Sequence, residues 1–577
     1  MVKNLKLQQG QRTSFHFAHW LFGRCLGMVS LIAFLSYWSQ SEALIGDNGL
    51  NPWKEDLLQV DSFIESNDIQ RSKFNLRPTL LWFSSFSNHH LLFTLGSISS
   101  LALALGFMPR ISACLIWIFY LSLSVVGEPF LSFQWDTLLL ESLFISLPYL
   151  PFSRFHRISE VHPHSKWARI LVILLLTKLM LESGLVKFSY FDIDQSNAWI
   201  DYTALNYHYW TQPLPHALSP FVHSLPQWFD EVSLSSMFFI EIALPFCFFL
   251  PTLIRRFALL GQVLLQIAII LSGNYGFFNL LTLTLCIPLI DDGMMPERIR
   301  SRFKELTVSK STFRKSFHIS HLAILYFLFL STSWIYFRND FKGNQVEEKP
   351  IGNPQWLINI QNYIQPIRSI NSYGLFRVMT KTRPEILIEG SSNGEDWKLY
   401  EFKWKPDHPS DLPKWAGFHM PRIDWQMWFE GLRAERYLTQ PFPRFLYTRF
   451  LEIIANGGGQ KECFNLNLVL GQKEMQAFSQ STPEQKKIIL TNFENLMRAF
   501  LQQSSWFGKL LQACLEQNQI ILSELDSIPF LNEDELKPQF LRISLAHYQF
   551  KDDQNSIQPN VWKEIRIPNT TIQIKKK

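Results

Sequence analysis

A chain of 577 residues, 47% of them hydrophobic with 50 Phe and 19 Trp, is long enough for more than one domain and apolar enough for a membrane. Its net charge of +5, with no basic patch interleaved with aromatic residues, gives no reason to expect a nucleic-acid partner. Six cysteines form no CxxC pair and show no metal-ligand spacing, so neither a metal nor another cofactor is expected. The mean hydropathy of +0.01 averages two unlike halves. Up to about residue 337 the chain is a series of apolar blocks, and beyond it charge is dense.

A bilayer core about 30 Å thick needs roughly 20 mainly apolar helical residues. In chain order the candidate spans are 17–38, 90–107, 111–126, 133–150, 168–188, 232–250, 257–272, 276–290 and 319–337. The first follows a basic leader (Lys3, Lys6, Arg12), but its apolar block is longer than a signal-peptide core, so a retained helix is expected. Basic residues crowd alternate connectors: Arg154, Arg157, Lys166 and Arg169 after the fourth block, and Arg255 and Arg256 after the sixth. After the eighth come Arg298, Arg300, Arg302, Lys304, Lys310, Arg314 and Lys315. The 189–231 segment carries five acidic residues and no Lys or Arg. Lys and Arg stay cytoplasmic, and nine spans put each of these loops on its proper side. The N-terminus is then cytoplasmic and everything after residue 338 is outside.

Charges inside or at the edge of these blocks are Arg24, Asp136, Glu141, Lys178, Glu182, Lys187 and Glu241. Each costs on the order of 3 kcal/mol at the bilayer centre, so each should face the protein interior and find a partner. Lys178 and Glu182 are four apart on one helix face and are placed to pair. Asp136 and Glu141 project about 140° apart, poor geometry for a two-carboxylate acid/base site. Either Lys178, Glu182 and Lys187 line a polar cavity as acid/base groups, or all seven charges are interhelical ion pairs and snorkelling residues. In the 189–231 loop, Tyr207, His208, Tyr209 and His216 sit among Trp and Pro. That composition fits an interfacial aromatic belt, or a re-entrant lid over a cavity.

Past residue 340 the pattern is that of a soluble α+β domain with an antiparallel, sandwich-like core. Residues 385–389 and 398–405 read as a hairpin joined through Asn393-Gly394, and 542–550 and 563–574 as further strands. Between them a helical insertion spans about 443–518. It holds an amphipathic helix at 445–455 and a helix from 482 to 503 capped by Thr482 with Pro483 and Gln485, followed by a shorter one at 506–516. The aromatic run 421–429, with Arg422, Asp424, Trp425 and Trp428, is a binding patch if exposed and core if buried. Cys463 and Cys514, on the side expected to be outside, are either a disulfide or two free thiols.

Several strings carry a family likeness. They are 24–38 leading to Leu44-Ile45-Gly46, then Trp135-Asp136-Thr137 through Glu141, then Asp201 through Tyr209 and Thr211-Gln212-Pro213. Gly273-Asn274-Tyr275, Tyr373-Gly374, Thr380-Lys381-Thr382-Arg383 and the 421–429 run continue it. In these the chain resembles the lipase maturation factor family. The resemblance implies a non-enzymatic membrane factor that assists the folding of secreted clients, homodimeric lipases in the endoplasmic reticulum of animals, through a lumenal or periplasmic C-terminal domain. The membrane half is more distantly similar to the helical domain of vitamin K-dependent carboxylases, which implies the alternative of a membrane enzyme. The stretch 445–503 is longer and more polar than the family pattern. Membrane lipid and secreted proteins are the expected partners, and the oligomeric state is left open.

Overall fold

The structure is a computed structural model that describes residues 14–66, 72–162, 164–192, 194–300, 307–308, 315–344, 352–530, 536–551 and 561–577. The basic residues Lys3, Lys6, Arg12, Arg302, Lys304, Lys310 and Arg314 lie outside the described residues.

Each of the nine apolar blocks contains a helix. The N-terminal half is built from α1 (His16–Trp38), α2 (His89–Leu105), α3 (Pro109–Val126), α4 (Gln134–Ser146) and α5 (Lys166–Ser189). Next come α6 (Gln227–Phe238), continued by a π-helical turn Phe239–Ala243 and a last turn Leu244–Cys247, then α7 (Thr252–Ser272), α8 (Phe278–Cys286) and α9 (Lys315–Lys342). Among the described residues, the helices His16–Trp38, Pro109–Val126, Thr252–Ser272 and Ile319–Lys342 are long and apolar enough to cross a membrane on their own. Shorter apolar helices are His89–Leu105 and Phe278–Leu289. The α1–α2 crossing is close because Gly27 leaves its neighbour's backbone room: a Cβ there would lie 2.4 Å from the Ala104 nitrogen.

The C-terminal half contains one antiparallel sheet, built from β1 (Pro384–Ser391), β2 (Lys398–Phe402), β3 (Leu525–Ser527), β4 (Phe540–Phe550), β5 (Trp562–Arg566) and β6 (Ile572–Lys575). Strand order is β3-β2-β1-β4-β5, with β6 also paired to β4. Register runs from Pro384↔His547 to Ser391↔Phe540 along the central pair. The expected sandwich is therefore corrected. The run assigned to its core is instead α10 (Arg422–Leu438), whose Gly431 lies so close to β1 that a Cβ would sit 2.2 Å from the Pro384 carbonyl oxygen. The 385–405 hairpin forms, and Gly394 takes the positive φ of 84° that its turn requires. Its second strand stops at Phe402, because the Asp424 carboxylate takes the Trp404 N–H at 2.8 Å and the Lys405 N–H at 3.2 Å away from the ladder. The 563–574 strand divides into β5 and β6.

The helical insertion holds α11 (Pro441–Ala455) and the 34-residue α12 (Pro483–Glu516), a single helix where two were expected. Thr482 caps α12 with a full capping box: Thr482 Oγ1 accepts from Gln485 N at 3.3 Å, and Gln485 Oε1 accepts from Thr482 N at 3.0 Å. Cys463 and Cys514 are free and buried, so the disulfide left open by the sequence is not formed. Burial pushes the thiol of Cys463 up to about 12, which keeps it protonated and inert. One apolar core is continuous across both halves, running from Phe22, Phe34 and Leu139 to Ile386, Trp425 and Phe507.

Candidate functional site

Each charge within the apolar blocks has a polar partner, and Asp136, Glu141 and Glu182 take theirs wholly or partly from the C-terminal half of the chain. Asp136, at the start of α4, is completely buried and accepts from both terminal nitrogens of Arg422, also completely buried, at 2.9 Å each. Arg422 sits at the start of α10. Its fork is completed by the Phe130 carbonyl at 2.6 Å, its backbone N–H by Gln40 Oε1 at 2.9 Å, and its plane lies over the Tyr37 ring. Tyr120 donates its hydroxyl to Asp136 Oδ1. A bidentate guanidinium–carboxylate pair whose two terminal nitrogens and two carboxylate oxygens are all engaged is the geometry that makes a buried ion pair tolerable, although Arg422 Nε and the Tyr37 hydroxyl make no hydrogen bond.

A second node forms around Glu141, one turn further along α4. Its Oε1 accepts from Lys178 Nζ of α5 at 3.0 Å. Its Oε2 accepts from the Asn371 backbone at 2.8 Å and from the Tyr373 hydroxyl at 2.6 Å. The expected Lys178–Glu182 pair is thus not the one made: Glu182 instead accepts from the Tyr373 backbone N–H at 2.8 Å. Lys187 is held by Glu241 at 2.8 Å on the π-helical turn after α6. Arg24 caps the His156 carbonyl near the other end of α1. Lys178 and Lys187 are therefore each held by a carboxylate.

Residues 207–213 of the 189–231 loop form a socket for the C-terminal half, while Tyr202, Phe221 and Trp228 of the same loop are exposed. Arg383, completely buried and paired with Glu385 at 2.8 Å, donates to the carbonyls of Trp210 at 3.0 Å, Gln212 and Pro213 at 2.9 Å. Trp428 Nε1 donates to the Thr211 carbonyl at 2.7 Å. Tyr209 and Trp210 pack with Leu387, Tyr548 and Trp562 in one satellite cluster, with Tyr207 at its edge. His216 is buried, its Nδ1 accepting from Leu218 N at 3.0 Å. Trp425 meets Trp135 edge-on at 4.9 Å between ring centres. Arg422, Asp424, Trp425 and Trp428 are all buried, so the exposed client-binding patch is corrected: Arg422, Trp425 and Trp428 hold the two halves together, while Asp424 binds backbone within the C-terminal half.

Sequence reasoning missed several members of this interface. Arg368 donates to Ser124 and Leu131 carbonyls and pairs with Glu128. Ser369 accepts from the Trp117 indole at 2.8 Å, and Arg377 pairs with Asp340 at 2.7 Å. They fall in a segment of weak periodicity, where the only available signal was the density of Arg, Asn and Ser between an apolar helix and a strand.

The matches to known proteins cover both sides of this seam. A family model described as the lipase maturation factor transmembrane domain matches residues 17–297, and one described as the lipase maturation factor C-terminal domain matches residues 369–456. Lipase maturation factor 2 of Xenopus tropicalis is 31% identical, over 73% of this chain and 72% of the relative. The chain belongs to the lipase maturation factor family. Lipase maturation factor 2 of Homo sapiens is 31% identical over 71% of both chains. Lipase maturation factor 1 of Mus musculus is 29% identical over 71% of this chain and 73% of its own. No solved structure matches. The two matched segments of this membrane protein contain Asp136 and Arg422, the two ends of the buried pair, and also Glu141, Tyr373 and Arg383. The second segment stops at residue 456, at the end of α11, so α12 and the strands β3–β6 lie beyond it.

His208 gives the seam a pH dependence. Its Nε2 shares a hydrogen bond with the Tyr275 hydroxyl at 3.1 Å, and burial lowers its pKa to about 4. In the unfolded chain the imidazole titrates near 6.5, so between about pH 6.5 and 4 the unfolded state binds more protons and stability falls as pH falls. The thermal midpoint of the detergent-solubilised protein is expected to drop between pH 7 and pH 5. The drop should be smaller in His208→Gln, and an identical drop in the two proteins contradicts this assignment.

Proposed function

We propose that this chain is a membrane-resident factor that assists the maturation of secreted lipases, working from the non-cytoplasmic face. The observation that carries this reading is the pair of family matches, one on each half, together with relatives named lipase maturation factor at about 30% identity. The described site fits a binding and folding role better than chemistry, since Lys178 and Lys187 are each neutralised by a carboxylate. We therefore do not adopt the carboxylase-like alternative.

The proposal includes nine spans over residues 1–340, an N-terminus in the cytoplasm, and residues 341–577 as a lumenal or periplasmic domain docked on the bundle. Support for that arrangement comes from two independent directions. Nine alternating spans put Trp38, His89, Val126, Gln134, Ser189, Gln227, Ser272, Phe278 and Lys342 at one end. The bonds of the C-terminal half go to that end: His419 to Ser36, Met420 to Gln40, Arg422 to Asp136, Gly374 to Gln134, and Ala416 to Asn274. The basic connectors Arg154, Arg157 and Arg255-Arg256 belong to the other end, which is the charge asymmetry expected of a cytoplasmic face. With the 421–429 run buried, client contact falls to the exposed remainder of the C-terminal half.

The test is co-expression with a homodimeric secreted lipase in cells lacking their own maturation factor. Secreted lipase activity per unit of lipase protein is expected to rise several-fold. Membrane-inserted, monodisperse protein that leaves this ratio unchanged contradicts the proposal.

A further inference from the structure

At the Trp38 end of α1, beside the seam, lies a second polar cluster. The short helix Ser41–Ile45 carries Glu42, and α2 opens on His89 and His90. Oε1 of Glu42 accepts from His90 Nε2 and lies 3.5 Å from His89 Nε2. One ligand atom from each of the three residues falls within 4.8 Å of the other two. The two imidazoles are tilted by 34° to each other, with ring centres 4.1 Å apart.

Two further observations point to a ligand. His89 is 6% exposed, and its Nε2, 3.5 Å from Glu42 Oε1, makes no hydrogen bond, which is uncommon for a buried polar atom. The carboxylate is also given room: a Cβ on Gly46 would sit 2.3 Å from Glu42 Oε2, so a larger residue would push the carboxylate out of its place. Asn88 caps the start of α2 by accepting from His90 N at 2.9 Å.

We propose that Glu42, His89 and His90 bind a divalent transition-metal ion of the Zn²⁺ class at the junction of α1 and α2. Two imidazoles and one carboxylate suit such an ion and do not suit Ca²⁺ or Mg²⁺, which take oxygen ligands. Three protein ligands leave a fourth position for water. Proton bookkeeping fixes one consequence. His90 Nδ1 accepts the Trp38 indole N–H at 2.9 Å, so the imidazole proton is on Nε2, where it is donated to Glu42. Ligation through Nε2 moves that proton to Nδ1 and ends the Trp38 bond. The ion thereby replaces a His90–Glu42 hydrogen bond and recruits the unbonded His89 nitrogen. Neighbouring adjacent histidines were the visible signal for this site; Glu42, 47 residues before His89, was not.

The full chain, purified in detergent, stripped with chelator and re-equilibrated with Zn²⁺, tests the proposal. Fifteen histidines make background binding certain, so the measurement is a comparison with variants. One tightly bound ion per chain is expected in the parent protein, weakened at least tenfold in Glu42→Gln and in His89→Gln. Zn-edge absorption of the parent should show imidazole nitrogens at about 2.0–2.1 Å. Zn²⁺ should raise the thermal midpoint of the parent and not of Glu42→Gln, a variant that keeps the shape and hydrogen-bonding capacity of the side chain. Equal affinity in parent and Glu42→Gln, or a metal edge without imidazole, overturns the site.

Discussion

Arg422→Met is expected to cost about 3–5 kcal/mol of stability, enough to abolish the folded, monodisperse protein in most detergents. The substitution removes both nitrogens that neutralise Asp136 and leaves a carboxylate, completely buried, with only the Tyr120 hydroxyl as partner. The cost comes from the stranded charge more than from the lost attraction, because the Asp136–Arg422 pair must itself overcome the desolvation of two ions. Asp136→Leu alone should be as harmful, since it strands the guanidinium against the Phe130 carbonyl. The double variant Asp136→Leu/Arg422→Met should recover a large part of the loss. Thermal unfolding of the four proteins in one detergent gives the coupling energy, and additive losses would show that the pair is not the link between the halves.

Lys178→Met carries the second large expected effect, a loss of about 3 kcal/mol. It leaves Glu141 with the Asn371 and Tyr373 donors but without a cation in a site where the carboxylate is completely buried. Adding Glu141→Gln should restore most of the stability, because an amide still accepts from Tyr373 and has no charge to neutralise. The two readings of this lysine part here. If the pair is structural, the Lys178→Met/Glu141→Gln protein, once folded, activates a co-expressed lipase as well as the parent does. If Lys178 acts on a substrate, the double variant is stable and inactive.

The sequence made the helices legible because runs of apolar residues that long are rarely anything else: each of the nine blocks contains a helix, four of them long and apolar enough to cross a membrane. It also made the cap of α12 legible, since Thr482, Pro483 and Gln485 act within one turn. The partners of the charges were not legible. Lys178 and Glu141 are 37 residues apart and Arg422 and Asp136 are 286 apart, and no local spacing rule reaches that far. Lys178 and Glu182 have the i,i+4 spacing that favours pairing, but tertiary partners outcompete it: the Tyr373 N–H donates to Glu182, and the Glu141 carboxylate accepts from Lys178.

The 421–429 run misled for a related reason. Residues 421–428 are all buried, so this stretch offers no polar face from which a helical period could be read. Its residues Arg422, Asp424, Trp425 and Trp428 looked like a recognition patch because such residues are enriched at interfaces, and they do lie at one, within the chain itself.

The central claim is that the C-terminal half sits on the side of the membrane opposite to the N-terminus, seated on the bundle through Arg422 and Arg383. Protease treatment of sealed vesicles from cells making the chain with a different tag at each end tests it most directly. The account predicts that the N-terminal tag is digested from the cytoplasmic side while the tag after Lys577 survives until detergent is added. Digestion of both tags in intact vesicles would contradict it.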